Sequence, residues 1–141
     1  MSARISRHAL AALVLAIVTA CDQGGVVNTP GLPILLRYGR LDGFPAALID
    51  GTLSFRGSCI WVEQEDGTSS VILWPGNTTV RLEGVQPVVQ VGDLVLREGD
   101  GIQLGGGSYS DKDFVAGLLG TAIPDSCVTQ LYWLASSVSS P

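Results

Sequence analysis

The chain has 141 residues, 46% of them hydrophobic and 15% charged, with 13 acidic residues, 8 basic ones and a single histidine. That length suits one domain rather than two. The net charge of −5 is a poor match for nucleic acid, whose binding relies on clustered Lys and Arg.

At the N-terminus, Arg4 and Arg7 precede an uncharged, mostly apolar run from Ala9 to Ala20. A basic start, a short apolar stretch and a small-residue site are the parts of a secretory signal. The run is shorter than the about 20 apolar residues that a spanning helix needs. It ends in Val18-Thr19-Ala20-Cys21, which resembles the lipobox of bacterial lipoproteins: an aliphatic residue, a small one, Ala or Gly, then Cys.

The resemblance implies cleavage of residues 1–20 and lipidation of Cys21, with a diacylglycerol on its sulfur and usually a further acyl chain on its amine. Two or more chains hold a protein stably, since each buried methylene adds about 0.8 kcal/mol. The implied location is the bacterial cell envelope, anchored to a membrane and facing outside the cytoplasm. Asp22 resembles the inner-membrane retention signal of enteric bacteria and leaves the choice of membrane open. Cleavage also discards Arg4, Arg7 and His8, leaving six basic against thirteen acidic residues. The mature chain then has no histidine, so it lacks the usual general base and the commonest zinc ligand. No cofactor is expected.

Residues 21–40 read as the lipidated N-terminus and a flexible tether, because Gly24, Gly25, Asn28, Pro30, Gly31 and Pro33 discourage regular structure. A short edge strand at Leu32–Arg37 is the alternative. Residues 41–135 read as a single β domain. Thr52–Phe55 alternates with period two. Cys59–Glu63 and Ser70–Trp74 flank Asp66-Gly67, the strongest short hairpin signal. Val80 and Leu82 share the inward parity of the next strand. Val88–Val91 and Leu94–Arg97 flank Gly92-Asp93, and Ile102–Leu104 runs into Gly105-Gly106-Gly107. Asp111–Gly120 breaks the pattern: Phe114, Val115, Leu118 and Leu119 have helical spacing, with Ser110 and Asp113 as a start signal. Val128–Ala135 reads as the last strand and 136–141 as a disordered tail. Six or seven short strands and one short helix predict an all-β fold, a small antiparallel, partly open barrel of OB type, with a compact sandwich as the alternative.

Cys59 and Cys127 remain after Cys21 is assigned to lipid. In an exported domain two such thiols usually pair, with buried free thiols as the alternative. A bridge would close a loop of about 70 residues, a contribution of ~4 kcal/mol in the chain-entropy model.

Three groups are candidates for a site. Trp61, Trp74 and Trp133 form either core packing against the disulfide or an aromatic platform for a sugar, peptide or lipid headgroup. Asp93, Glu98, Asp100, Asp111 and Asp113 are closely spaced oxygen donors, but no glutamate closes an EF-hand loop. Glu63, Glu65 and Asp66 crowd one hairpin tip. The glycine clusters lack a nucleotide-binding spacing and read as turns and a bulge at a barrel corner. The mature part resembles the small β-rich lipoproteins of bacterial envelopes in its Gly-x-Cys before a tryptophan strand, Trp74-Pro75, the triple glycine and a late Pro-x-x-Cys. That resemblance implies no activity. The expectation is a non-enzymatic, membrane-tethered binding or structural module, whose partners are membrane lipid through Cys21 and an envelope protein or glycan. The alternatives are a carboxylate-dependent glycan hydrolase and a calcium-dependent adhesion module.

Overall fold

The computed structural model describes residues 24–141. The signal segment 1–20, Cys21 and Asp22 lie outside the described residues.

Turn chemistry sets the hairpins. After β1 (Gly25–Val27), β2 (Leu35–Arg37) and β3 (Ala47–Arg56), the strands β4 (Cys59–Glu63) and β5 (Ser69–Trp74) form an antiparallel pair. The Asp66-Gly67 turn joins them, with Gln64 N–H on the Thr68 carbonyl at 2.9 Å and Gly67 at a φ of 85°. β6 (Thr78–Glu83), β7 (Gln86–Val91) and β8 (Leu94–Arg97) make a separate three-stranded sheet, its second turn formed by Gly92-Asp93 as expected. β9 (Gly101–Tyr109), helix α1 (Lys112–Leu119) and β10 (Tyr132–Ser139) complete the chain.

The larger sheet closes on itself. β5, β10, β9, β3 and β4 neighbour one another in that order, and β4 returns to β5. The result is a five-stranded, mostly antiparallel barrel-like ring, with β10 parallel to β5. Closure removes free edges from these strands. Strand alternation then sorts side chains by parity. Leu53, Ile60, Val62, Ile72, Ile102 and Leu104 form the inner cluster, which Val89 and Leu96 of the small sheet join from one side. Val71, Leu73, Tyr132 and Leu134 face the opposite way and belong to an outer cluster with Leu36, Val115 and Leu119. Burying each such aliphatic side chain contributes about 1.5–3 kcal/mol. The Cys59–Cys127 bridge forms within the outer cluster, with Cα atoms 5.5 Å apart and 68 residues of separation.

The N-terminal segment follows the alternative expectation, a short strand within Leu32–Arg37, rather than the tether. β1 pairs antiparallel with β2, and β2 pairs parallel with β5 through Leu36–Leu73 and Arg37–Trp74. Ile34, Leu35, Leu36 and Tyr38 are all buried. Their continuous apolar run suits a strand covered on both faces, and that non-local cover outweighs the breakers around it. The C-terminal end differs too. Asp125–Cys127 is a 3-10 turn, so the last strand starts at Tyr132, four residues later than expected. It continues through Val138–Leu104 and Ser139–Gln103 pairs into the stretch expected to be a disordered tail.

The short helix forms where its spacing predicts, but its cap is Asp111 rather than Ser110. The Asp111 carboxylate accepts from Asp113 N at 2.9 Å and Phe114 N at 3.2 Å, satisfying donors that the first turn leaves open. Gly120, at a φ of 72°, ends it. Leu82 is another correction. It is 52% exposed, because it pairs with Pro87 near the β6–β7 turn, at the end of the small sheet.

Candidate functional site

The three tryptophans do not meet on a surface. Trp74 and Trp133 point into the ring and are almost fully buried. Both are on the inward parity of neighbouring strands, since Trp133 pairs with Ile72, two residues before Trp74. Closure of the ring covers that face, so both follow the core-packing reading rather than the platform, though in the inner cluster and not against the disulfide. Trp61 has the outward parity and is half-buried. Its ring lies under the Arg56 guanidinium, 4.3 Å from the centroid, and its indole N–H donates to the Arg56 carbonyl at 2.9 Å. Arg56 also pairs with Glu63 at 3.1 Å. This half-buried aromatic is therefore held by its own hairpin, through a cation–π contact and a hydrogen bond.

One feature of the interior has no sequence signal. The indole N–H groups of Trp74 and Trp133 and the Thr78 hydroxyl are buried, with no hydrogen-bond partner among the described residues. A buried polar group left unpaired costs about 1–3 kcal/mol.

The carboxylates fall into three places. Asp50, Glu63, Glu65 and Asp66 border an open depression of about 710 Å³ between the first half of β3 and the β4–β5 turn. Three of the four are already engaged. Asp50 accepts from Gln103 Nε2 at 3.0 Å, Glu63 pairs with Arg56, and Asp66 accepts from Thr68 N at 2.8 Å. The Thr68 backbone bond holds the Asp66 carboxyl below its ordinary range. Asp50 joins the predicted tip cluster because β3 and β4 form a hairpin through the Gly57-Ser58 turn, which sets Thr52 opposite Glu63 and carries Asp50 on along the same strand.

On the small sheet, Glu83 pairs with Arg97 and, at 3.6 Å, with Arg81. The hydrogen bond and charge of Arg97 lower its pKa. Glu98 accepts from Phe55 N at 3.3 Å, and Asp100 accepts from Arg97 N at 2.7 Å, closing the turn into β9. Asp111 serves as the helix cap. These carboxylates stabilise turns, strand ends and a helix end. Among the described residues, no group of three or more His, Cys, Asp or Glu is arranged to hold a metal ion.

The triple glycine has a packing role. Gly106 has a φ of 140°, and a Cβ there would collide with the Leu134 carbonyl across the strand pair. The β9–β10 register shifts here, Gly106 facing Ala135 and Gly105 facing Ser137, which is the bulge expected at a barrel corner. Pro45 covers Gly107.

Tyr38 is the remaining titratable group of note. Its hydroxyl donates to the Ala135 carbonyl at 2.9 Å, and burial pushes its pKa above the usual 10.0. It tethers the end of β2 to β10. Compared with protein-family models, curated proteins and solved structures, the chain matches none.

Proposed function

We propose that this chain is a membrane-tethered lipoprotein of the bacterial envelope, and that its β domain acts as a non-catalytic binding or structural module. The observation that carries the reading is the sequence Val18-Thr19-Ala20-Cys21 at the end of an apolar run with a basic start. Cleavage at that point and two or more acyl chains on Cys21 give stable attachment. The non-catalytic part is supported by the absence of histidine after position 8 and by the internal engagement of the tryptophans and most of the acidic side chains. The partner classes are membrane lipid through Cys21 and an envelope protein or glycan.

Cys21→Ala tests the attachment. The wild-type chain is expected in the detergent phase of a cloud-point separation and the variant in the aqueous phase. Retention of the variant in the detergent phase refutes lipid anchoring at Cys21. Incubation with peptidoglycan tests the other half: no turnover is expected. Turnover abolished by Asp50→Asn or Glu65→Gln, both bordering the acidic depression, would make the protein a hydrolase. Calcium should leave the melting temperature unchanged, since a ligand of the native state raises it.

A further inference from the structure

The domain begins almost at the proposed anchor. β1 starts at Gly25, and Gly24 is wedged against the backbone of Arg37–Gly39 at the end of β2. Only two residues, Asp22 and Gln23, separate Gly24 from Cys21, a reach of about 11 Å when extended. A leash that short selects which side of the domain faces the lipid. The surface beside Gly24 must lie at the headgroups, and surfaces at the far end of the β1–β2 hairpin must lie away from them.

The neighbourhood of Gly24 suits an interface. Gly39 N–H donates to the Leu118 carbonyl at 3.0 Å, which places the last turn of α1 beside the exit point. Phe114, one turn earlier on the helix, is 48% exposed and stacks on Tyr109. Phe44, on the loop 39–46, is 51% exposed and meets the Tyr38 ring edge-on at 6.0 Å.

The cations divide by location. Arg56, Arg81 and Arg97 are each paired with a glutamate. Arg37, Arg40 and Lys112, all on the segments around the exit, make no ion pair with any described residue. Asp42, Asp111 and Asp113 on the same segments, and Asp125, which borders a depression with Lys112 and Asp113, offset these cations, so the leash and the exposed aromatics, rather than net charge, select this side. Half-exposed aromatics and long cationic side chains are the residues that settle at a bilayer boundary.

We infer that loop 39–46 and the exposed face of α1 rest on the phospholipid surface, with Phe44 and Phe114 seated at the boundary between headgroups and acyl chains. The inference rests on the reading of Cys21 as the lipid attachment point. The small sheet then points away from the membrane. Pro87 on that sheet borders the same depression as Gly31 and Pro33, at the far turn of the β1–β2 hairpin, and Val85 near its tip is 92% exposed.

The test uses the full lipidated chain in vesicles of phosphatidylethanolamine and phosphatidylglycerol carrying a nitroxide at a shallow acyl position. Phe114→Cys, Arg40→Cys and Val85→Cys are each labelled with a small fluorophore. The two exposed positions near the exit guard against a folding defect in either one. The expected result is loss of most fluorescence at positions 114 and 40 and none at 85. Quenching at 85 equal to that at 114 and 40, or no quenching at any position in protein that floats with the vesicles, overturns the inference and leaves the anchor standing. Protein that fails to float with vesicles overturns the anchor reading, and this inference with it.

Discussion

Inside the ring, Leu53, Val62, Ile102 and Leu104 are enclosed by the strands that carry them, with the small sheet laid over one side. On the outer faces of the same strands, Val71, Leu73, Tyr132 and Leu134 depend on distant segments for cover: β2, α1 and the stretch that holds Cys127. Closure shelters the first cluster. The second is assembled from pieces far apart in sequence, and the Cys59–Cys127 bridge lies within it. The disulfide thus fastens the part of the molecule that barrel closure leaves uncovered.

The largest expected effect follows from that contrast. Replacing both Cys59 and Cys127 with Ala should destabilise the domain by ~4 kcal/mol, read by urea denaturation. Loss should appear first as exposure of the outer cluster, seen as faster hydrogen exchange at Leu36 and Val115 than at Ile102. Uniform loosening of both clusters would break the distinction. Single truncations sharpen it. Leu104→Ala, in the ring interior, should cost ~4 kcal/mol, because the surrounding strands cannot collapse into the gap. Leu119→Ala, on the helix, should cost only ~2 kcal/mol, since α1 can shift. Equal costs would contradict the difference in rigidity.

A third variant should act in the opposite direction. Thr78→Val keeps the shape of a buried side chain and removes a hydroxyl without a partner. It should raise stability by ~1 kcal/mol, read as a higher midpoint at unchanged slope. A drop would mean that the hydroxyl is satisfied.

The smallest effects concern pH. Glu83 and Asp66 titrate below their ordinary values of 4.5 and 3.8. They therefore contribute stability above those values and lose it as pH falls through their folded pKa values. Glu83→Gln should flatten the acid limb of a stability profile, though only slightly, because both groups are on the surface. Tyr38 has the opposite sense. Its folded pKa lies above 10.0, so its contribution is intact below that pH and is lost as pH rises through the folded value. Tyr38→Phe should remove that alkaline component.

Sequence reasoning succeeded where the determinants are local. Asp66-Gly67 and Gly92-Asp93 encode their own turns, and the spacing of Phe114, Val115, Leu118 and Leu119 encodes a helix. The pairing of Cys59 with Cys127, expected from the cysteine count and the signal-like N-terminus, is present. It failed where cover comes from elsewhere. Ile34-Leu35-Leu36 sits among prolines and glycines, so a strand there is only the second reading, and its place between β1 and β5 rather than at an edge is not legible. Alternation showed that Trp74 and Trp133 have a defined parity, but ring closure decides that this parity is the inside. The acidic depression depends instead on a local turn that sequence reasoning missed, Gly57-Ser58, which folds β3 back on β4 and puts Asp50 on the same border as Glu63 and Asp66. Ordered structure from Gly25 onward follows from the antiparallel pairing of β1 with β2.

The most direct measurement is the intact mass of the protein extracted from membranes, followed by fragmentation of its first peptide. The account predicts a chain that begins at Cys21, carries a diacylglycerol with or without a further acyl chain, and is two hydrogens lighter for the Cys59–Cys127 bridge. A chain that retains residues 1–20, or one that begins elsewhere with an unmodified Cys21, would contradict it.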